Sequence, residues 1–420
     1  MSSQTVVQSA SKIQHKWVVP RLALMMFLQF FVWGAWYVTL GVVMGKYGLS
    51  AIIGDAYSIG PIASILSPFF LGMVVDRFFA SQKVLGIMHL VGAVLLWILP
   101  GMFTANSGAL LWMIFGYMLC YMPTIALSNN VAFFSLKSSE KSFPIVRAFG
   151  TIGWIVAGLI VGTTGLSDST SIFTLAAVAS VVLGIYSFTL PNTPAPEKGK
   201  PMAIRDLFCA DAFALLKQRH FLIFIICATL ISIPLAAYYA YAAPYVAAVG
   251  FENVGGVMAL GQMSELLFML LIPFFFRHLG IKYMLLIGML AWFLRYVMFA
   301  FGINEELRWM VYIGILLHGI CYDFFFVIGF IYTDKVADSR VKGQAQSLLV
   351  LFTYGIGMLV GSQISGALFN RMVTAQGEAA LPQWQSFWWY PAIAALLIAT
   401  LFFFTFNYRE LPEEAKKNGR

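Results

Sequence analysis

The chain has 420 residues, of which 60% are hydrophobic and 10% charged, with a formal net charge of +8. A soluble domain carries roughly 25% charged residues, so soluble enzymes, nucleic-acid binders and disordered tails are excluded. Twelve helical spans of roughly 20 residues would take up about 240 apolar residues, close to the number present. The composition therefore points to an all-α polytopic membrane protein. An outer-membrane barrel is excluded as well: its strands alternate apolar and polar in segments of about ten residues, whereas Leu90 to Leu99 is uninterrupted hydrocarbon apart from Gly92.

In chain order, apolar runs of bilayer length fall at 19–43, 56–75, 84–104, 109–130, 145–165, 171–190, 220–247, 256–276, 284–302, 309–332, 345–368 and 387–407. The first run lacks a small-residue cleavage site and is expected to be retained as a span rather than removed as a signal. Lys12, Lys16, Arg77, Lys83, Lys137, Lys141, Arg277, Lys282, Lys335, Arg340, Lys342 and Arg409 fall in one set of connections, and Lys46, Arg308 and Arg371 in the opposite set. Because cytoplasmic loops retain positive charge, both termini are expected to be cytoplasmic. The +8 is then mostly a topology signal, with no nucleic-acid partner implied. Cys120, Cys227 and Cys321 lie in apolar stretches and Cys209 in a polar linker, with neither metal nor disulfide spacing; all four read as unpaired thiols.

The longest polar interval, 191–219, opens on Pro191, Pro194 and Pro196 and divides the spans six and six. The expected units are an N-terminal bundle over 1–190, a cytoplasmic linker over 191–219 and a C-terminal bundle over 220–420. Ile204, Leu207, Phe208, Leu215 and Leu216 recur at helical spacing beside Arg205, Lys217 and Arg219, which predicts a short interfacial helix tethering the halves. Pro68-Phe69-Phe70 runs into Asp76-Arg77 and Lys83, and about 200 residues later Pro273-Phe274-Phe275 runs into Arg277 and Lys282. Parallel six-helix halves related by an axis along the membrane normal are the plan of the major facilitator superfamily. Gly72 to Lys83 resembles that superfamily's loop motif between spans two and three. Asp76 and Arg77 would then form a cytoplasmic charge lock made in one conformational state; the plainer reading is two ordinary loop charges.

Charged side chains inside spans are expensive and mark functional sites by default. Four stand out: Arg147 in span five, Glu265 in span eight, Arg295 in span nine and Asp323 in span ten. The competing reading is buried ion pairs that hold helices in register, and Arg147 could instead snorkel to the cytoplasmic face. Helical spacing puts Arg147, Thr151 and Trp154 on one face, Gln262 with Glu265 on another, His318 with Tyr322 on a third, and Gln29, Trp33 and Trp36 on a fourth. Aromatic planes with amide, carboxylate and guanidinium groups suit an aromatic heterocycle carrying hydroxyls. Any single Trp or Tyr is more often helix packing or interfacial belt; the grouping with intramembrane polar residues is what raises the odds.

No hydrolytic or transfer chemistry is visible, and the protein is not expected to be an enzyme. His89 stands alone among the apolar residues of its span, His318 has no partner at metal spacing, and there is no Walker-type glycine loop. No cofactor or metal is expected; the protein would draw on an ion gradient or run downhill. A carboxylate in a dehydrated cavity holds its proton more tightly than in water, so Asp323 or Glu265 could carry a proton across. Gly150, Gly153, Gly158 and Gly162 allow close helix contacts in span five.

FLQFFVWGAWYVTLG at 27–41, YMPT at 121–124, RAFGTIGW at 147–154, GQMSE at 261–265, WFLRY at 292–296 and YDFFF at 322–326 resemble the bacterial nucleoside:proton symporters of the major facilitator superfamily. The resemblance implies uptake of purine and pyrimidine nucleosides across the bacterial cytoplasmic membrane, driven by the proton gradient; the expected carrier is a monomer that works by alternating access around a midplane cavity between the halves. The resemblance also implies a site lined by Arg147, Thr151, Trp154, Gln262, Glu265 and Tyr322, with Asp323 as the adjoining acid. Two positions depart from the family pattern. LAAYYAYA at 235–242 places Ala236 and Tyr239 where better-known members carry amides, and His318 replaces a tyrosine. A proton-coupled facilitator for a sugar or drug, and a non-transporting receptor of the same fold, remain as alternatives.

Overall fold

The computed structural model describes residues 17–71, 78–136, 139–194, 211–338 and 341–408. Asp76, Arg77, Cys209 and the stretch of the predicted interfacial helix that holds Ile204, Leu207 and Phe208 lie outside the described residues. Every span expected from the sequence is present as helix. Span one is Val18–Gly34 continued by Leu40–Lys46; spans two to six are Ile53–Phe70, Ser81–Met102, Ser107–Ser135, Ser139–Thr163 and Ser171–Ser187. Span seven is Arg219–Ala248, spans eight and nine are the two helices of Val254–Phe301 that meet at Gly280, and spans ten to twelve are Glu305–Val336, Lys342–Met372 and Gly377–Thr405. No strand occurs among the described residues.

In hydrocarbon every backbone polar group must be satisfied within the protein, which makes helix starts and breaks informative. The Asn106 side chain accepts hydrogen bonds from the amides of Gly108 and Ala109 to open span four, and the Asn253 side chain accepts from Gly256 to open span eight. One connection is tighter than the sequence suggests, and one span is interrupted. The charged stretch around Arg277 and Lys282 separates spans eight and nine as expected, but the two helices run up to a single non-helical residue, Gly280, at φ 68° and ψ 179°. That conformation suits only a residue without a Cβ, so a single glycine makes the turn. Span one, expected to be continuous, breaks over 35–39 in mid-membrane. From the linker, Ala212–Lys217 forms a short 3-10 turn in which Leu215 is buried.

The glycines of span five divide their work. A Cβ on Gly153 would meet the carbonyl of Phe27 in span one, whereas on Gly158 or Gly162 it would meet span eight at Gly255, Ala259 and Asn253. Likewise Gly54 of span two lies against Ser362 and Gly366 of span eleven, and Gly41 of span one against Ala240 and Pro244 of span seven. These half-to-half contacts share one end of the molecule, the end carrying loops 47–52, 164–170 and 249–253. Hydrogen bonds between the two halves gather there. Gln363 Nε2 donates to Asp55 Oδ1 (3.0 Å) and Ser58 Oγ (2.8 Å), Asn370 Nδ2 to the Ala51 carbonyl (2.8 Å), and the Gly255 amide to Ser167 Oγ (3.1 Å). The halves are sealed at that end by close backbone approach and a polar latch.

Candidate functional site

The break in span one sets up the site. Trp33 ends the first helical segment and Tyr37 lies in the turn, held there because Tyr57 Oη donates to the Tyr37 carbonyl at 2.7 Å. The Trp33 ring packs against Tyr37, Tyr121 and Trp154, with centroids 5.4, 5.5 and 5.3 Å away. Aromatic faces also meet across the junction of the halves: Trp33 with Tyr354 at 6.3 Å and Tyr37 with Tyr239 at 6.1 Å. Spans one, four and five therefore present an aromatic wall to spans seven and eleven.

The opposite wall is more polar. The His318 imidazole is stacked with Tyr238 (5.5 Å, 22°) and with Tyr322 (5.7 Å, 26°). Its Nε2 lies 3.6 Å from Glu265 Oε2 and 3.4 Å from Gln262 Nε2. The 3.6 Å approach is electrostatic rather than a hydrogen bond. Behind Tyr238, Arg295 is fully buried, with its guanidinium 4.1 Å from the ring centroid and its Nε donating to the Gly314 carbonyl at 3.0 Å. Gln262, Glu265, His318, Tyr322 and Tyr239 are thus brought together with Trp154 around one junction.

Several buried polar atoms here have no hydrogen-bond partner among the described residues: Trp33 Nε1, Trp154 Nε1, Tyr238 Oη and His318 Nδ1. A buried donor left unpaired costs about 1–3 kcal/mol, so this set fits a polar ligand that completes it. Asp323 is also fully buried, and neither carboxylate oxygen has a partner. It opens a π-helical turn, Asp323–Val327, a form that concentrates at functional sites.

Other expectations fall differently. Arg147 stacks on Phe30 at 4.1 Å, and Gly150 leaves room for that stack; Thr151 is buried on the same helix. Among the described residues, no Lys or Arg lies within 4 Å of Glu265 or Asp323, so the intramembrane charges do not form the register-setting ion pairs that were one reading of them. Gln29 does not face the junction. Its amide is taken up by Thr124 Oγ1 (2.7 Å) and His89 Nε2 (2.8 Å), which also ends the apparent isolation of His89. Tyr37, Tyr121, Tyr238 and Tyr354 were not singled out by spacing. Tyr37 follows Trp33 by four residues, a signal that was available, whereas Tyr354 carries none in a chain so rich in aromatics.

Against known proteins, the family described as Nucleoside H+ symporter matches residues 17–411. The chain is 39% identical over 399 residues to Putative nucleoside transporter YegT of Escherichia coli (strain K12), covering 92% of this chain and 93% of that protein. It is 31% identical over 418 residues to Xanthosine permease of the same organism, covering 95% and 98% respectively. The crystal structure of a mutant of nucleoside transporter NupG superposes with a TM-score of 0.86 at 28% identity, over 93% of this chain and 100% of that one. With its helical halves, its mid-membrane aromatic and carboxylate-bearing junction, and this end-to-end match, the chain belongs to the nucleoside H+ symporter family.

Proposed function

We propose that this symporter takes up nucleosides together with protons across the bacterial cytoplasmic membrane, with both termini in the cytoplasm, working as a single chain. The observation that carries the reading is the junction itself. Aromatic planes from both halves flank Gln262, Glu265, the unpartnered indole N–H groups of Trp33 and Trp154, and the unpartnered Nδ1 of His318. A nucleoside offers what that environment lacks: a flat base to stack and ribose hydroxyls to accept from indole N–H groups and donate to a carboxylate. Trp154, Trp33 and Tyr322 stack on the base, Gln262 and Glu265 bind the polar edges, and His318 sets which base is accepted. Arg147 and Thr151 line the approach on span five. Asp323 carries the coupled proton, since its buried and unpartnered carboxyl is easier to hold in hydrocarbon when neutral. The relatives named as nucleoside transporter and xanthosine permease support the same solute class.

The latch and glycine contacts at one end support a state closed at the face opposite the termini. Alternating access then consists of opening this seal while the other end closes. The test is uptake of a labelled nucleoside panel into transporter-deficient cells with and without a protonophore. Accumulation that collapses with the protonophore is expected. Uptake of a sugar in preference to every nucleoside would overturn the substrate assignment, and accumulation that resists the protonophore would overturn the coupling.

A further inference from the structure

Behind the aromatic wall, a chain of hydrogen bonds crosses spans one, three, four and six with every member buried. Gln29 Nε2 donates to Thr124 Oγ1 (2.7 Å), and Thr124 Oγ1 donates to the Tyr121 carbonyl (2.5 Å). Tyr121 Oη returns to span one by donating to the Gln29 carbonyl (2.6 Å). His89 Nε2 sits 2.8 Å from Gln29 Oε1, and His89 Nδ1 sits 2.9 Å from Ser180 Oγ. The edge of the His89 ring also packs on Tyr121, at 6.0 Å and 89°.

Because the Gln29 amide nitrogen serves Thr124, its oxygen faces His89 and accepts from Nε2–H. The Ser180 hydroxyl lies 2.9 Å from both His89 Nδ1 and the His89 carbonyl, so its one hydrogen is shared between two acceptors of the same residue and ties span six to the backbone of span three as well as to the ring. A satisfied buried network fixes one geometry more sharply than apolar packing does, while a half-satisfied one is worse than either. What this network fixes is the position of Tyr121, held at its hydroxyl and its carbonyl, against Trp33, one helical turn beyond Gln29. All five side-chain polar groups are engaged with one another or with backbone inside the N-terminal half, so none is placed to touch the solute.

We infer that His89 is a positioning residue for nucleoside binding. By fixing the Gln29 amide from span three, with Ser180 bracing it from span six, it sets the spacing of the Trp33–Tyr121 wall on which the base stacks. Resting on the site proposed above, this assigns a transport role to a histidine that neither contacts the substrate nor carries the proton.

The experiment compares His89→Leu, His89→Gln, Thr124→Val and Trp33→Ala in proton-driven uptake, each normalised to folded protein by size-exclusion profile. His89→Leu is expected to raise KM for nucleosides about tenfold with kcat changed less than about twofold. His89→Gln, which can present an amide N–H to Gln29, restores KM to within about threefold, and Thr124→Val shifts KM in the same direction as the leucine variant. If His89→Leu does not fold, the glutamine and Thr124 variants carry the test. Loss of folded protein with KM unchanged in every variant that folds would make the network purely structural and overturn the inference. Trp33→Ala separates the two levels: KM raised by Trp33→Ala but not by the network variants sinks only this inference, whereas KM unmoved by Trp33→Ala sinks the wall as the site.

Discussion

His318 Nε2 stands 3.6 Å from Glu265 Oε2 while the imidazole is stacked with both Tyr238 and Tyr322. One residue thus joins the aromatic and the charged elements of the C-terminal wall. His318→Ala removes both the stacking surface and the neighbour of Glu265. Stacked pairs contribute about 0.5–1.5 kcal/mol beyond area burial, so nucleoside KM should rise about tenfold. His318→Tyr restores the ring while moving the polar tip, and should keep transport but change the order of preference among bases. Competition by unlabelled uridine, adenosine and guanosine against one labelled nucleoside reads both effects.

Asp323 and Glu265 are expected to separate in function. Asp323→Asn keeps the shape of a neutral carboxyl and cannot release a proton, so pH-driven accumulation should disappear while exchange of internal for external nucleoside persists. Glu265→Gln should instead weaken binding, seen as raised KM in exchange as well as in accumulation. Proteoliposomes with an imposed pH gradient distinguish the two. If Asp323→Asn accumulates solute at the wild-type level, the proton is carried elsewhere.

The latch at the sealed end gives a conformational prediction. Gln363→Ala removes two hydrogen bonds between the halves, one of them to a carboxylate. At about 1–2 kcal/mol in total, the sealed state should lose population roughly five- to thirtyfold relative to the open one. Spin labels at Thr164 and Glu252, both exposed at the ends of spans five and eight, should then show a longer distance component. An unchanged distribution would mean that the glycine contacts alone hold the seal.

Two glycines of one helix should fail in different ways. Gly153→Ala drives a methyl into the Phe27 carbonyl within one half, and Gly162→Ala drives one into Asn253 across the junction. Overpacking of this kind costs typically about 1–3 kcal/mol. For Gly153→Ala the cost falls on folding and lowers the melting temperature in detergent. For Gly162→Ala it falls on the sealed state, so the same spin-label pair should separate with little change in melting temperature.

Much of this was legible in the sequence because bilayer thickness imposes its own ruler. Runs of apolar residues mark the spans within a few positions, and scarce intramembrane charges pick out Glu265 and Asp323. Helical spacing also pairs His318 with Tyr322 correctly. What spacing cannot give is which way a stripe faces. Gln29 and Trp33 share a face by periodicity, yet the partners of Gln29 come from spans three and four, many residues away, and they draw its amide into the bundle. His89 looked solitary for the same reason: its partners, Gln29 and Ser180, are distant in sequence. The charges of Arg277 and Lys282 mark the break between spans eight and nine, but not that the single residue Gly280 makes the turn. Tyr354 and Tyr121 are concealed by abundance, because in a chain that is 16% aromatic a ring facing the junction looks the same as one packing the core.

The π-helical turn that begins at Asp323 has a mechanical consequence. Such a turn holds one residue more than an α-helical turn, so span ten stores a residue of slack in mid-membrane. Passing that residue to the next turn would rotate the side chains in between by about 100°, while the hydrogen bonds given up on one side re-form on the other. The ends of the helix need not move. A carboxyl group mounted there can change the surface it faces by a peristaltic step of its own backbone, without the rocking of the two halves.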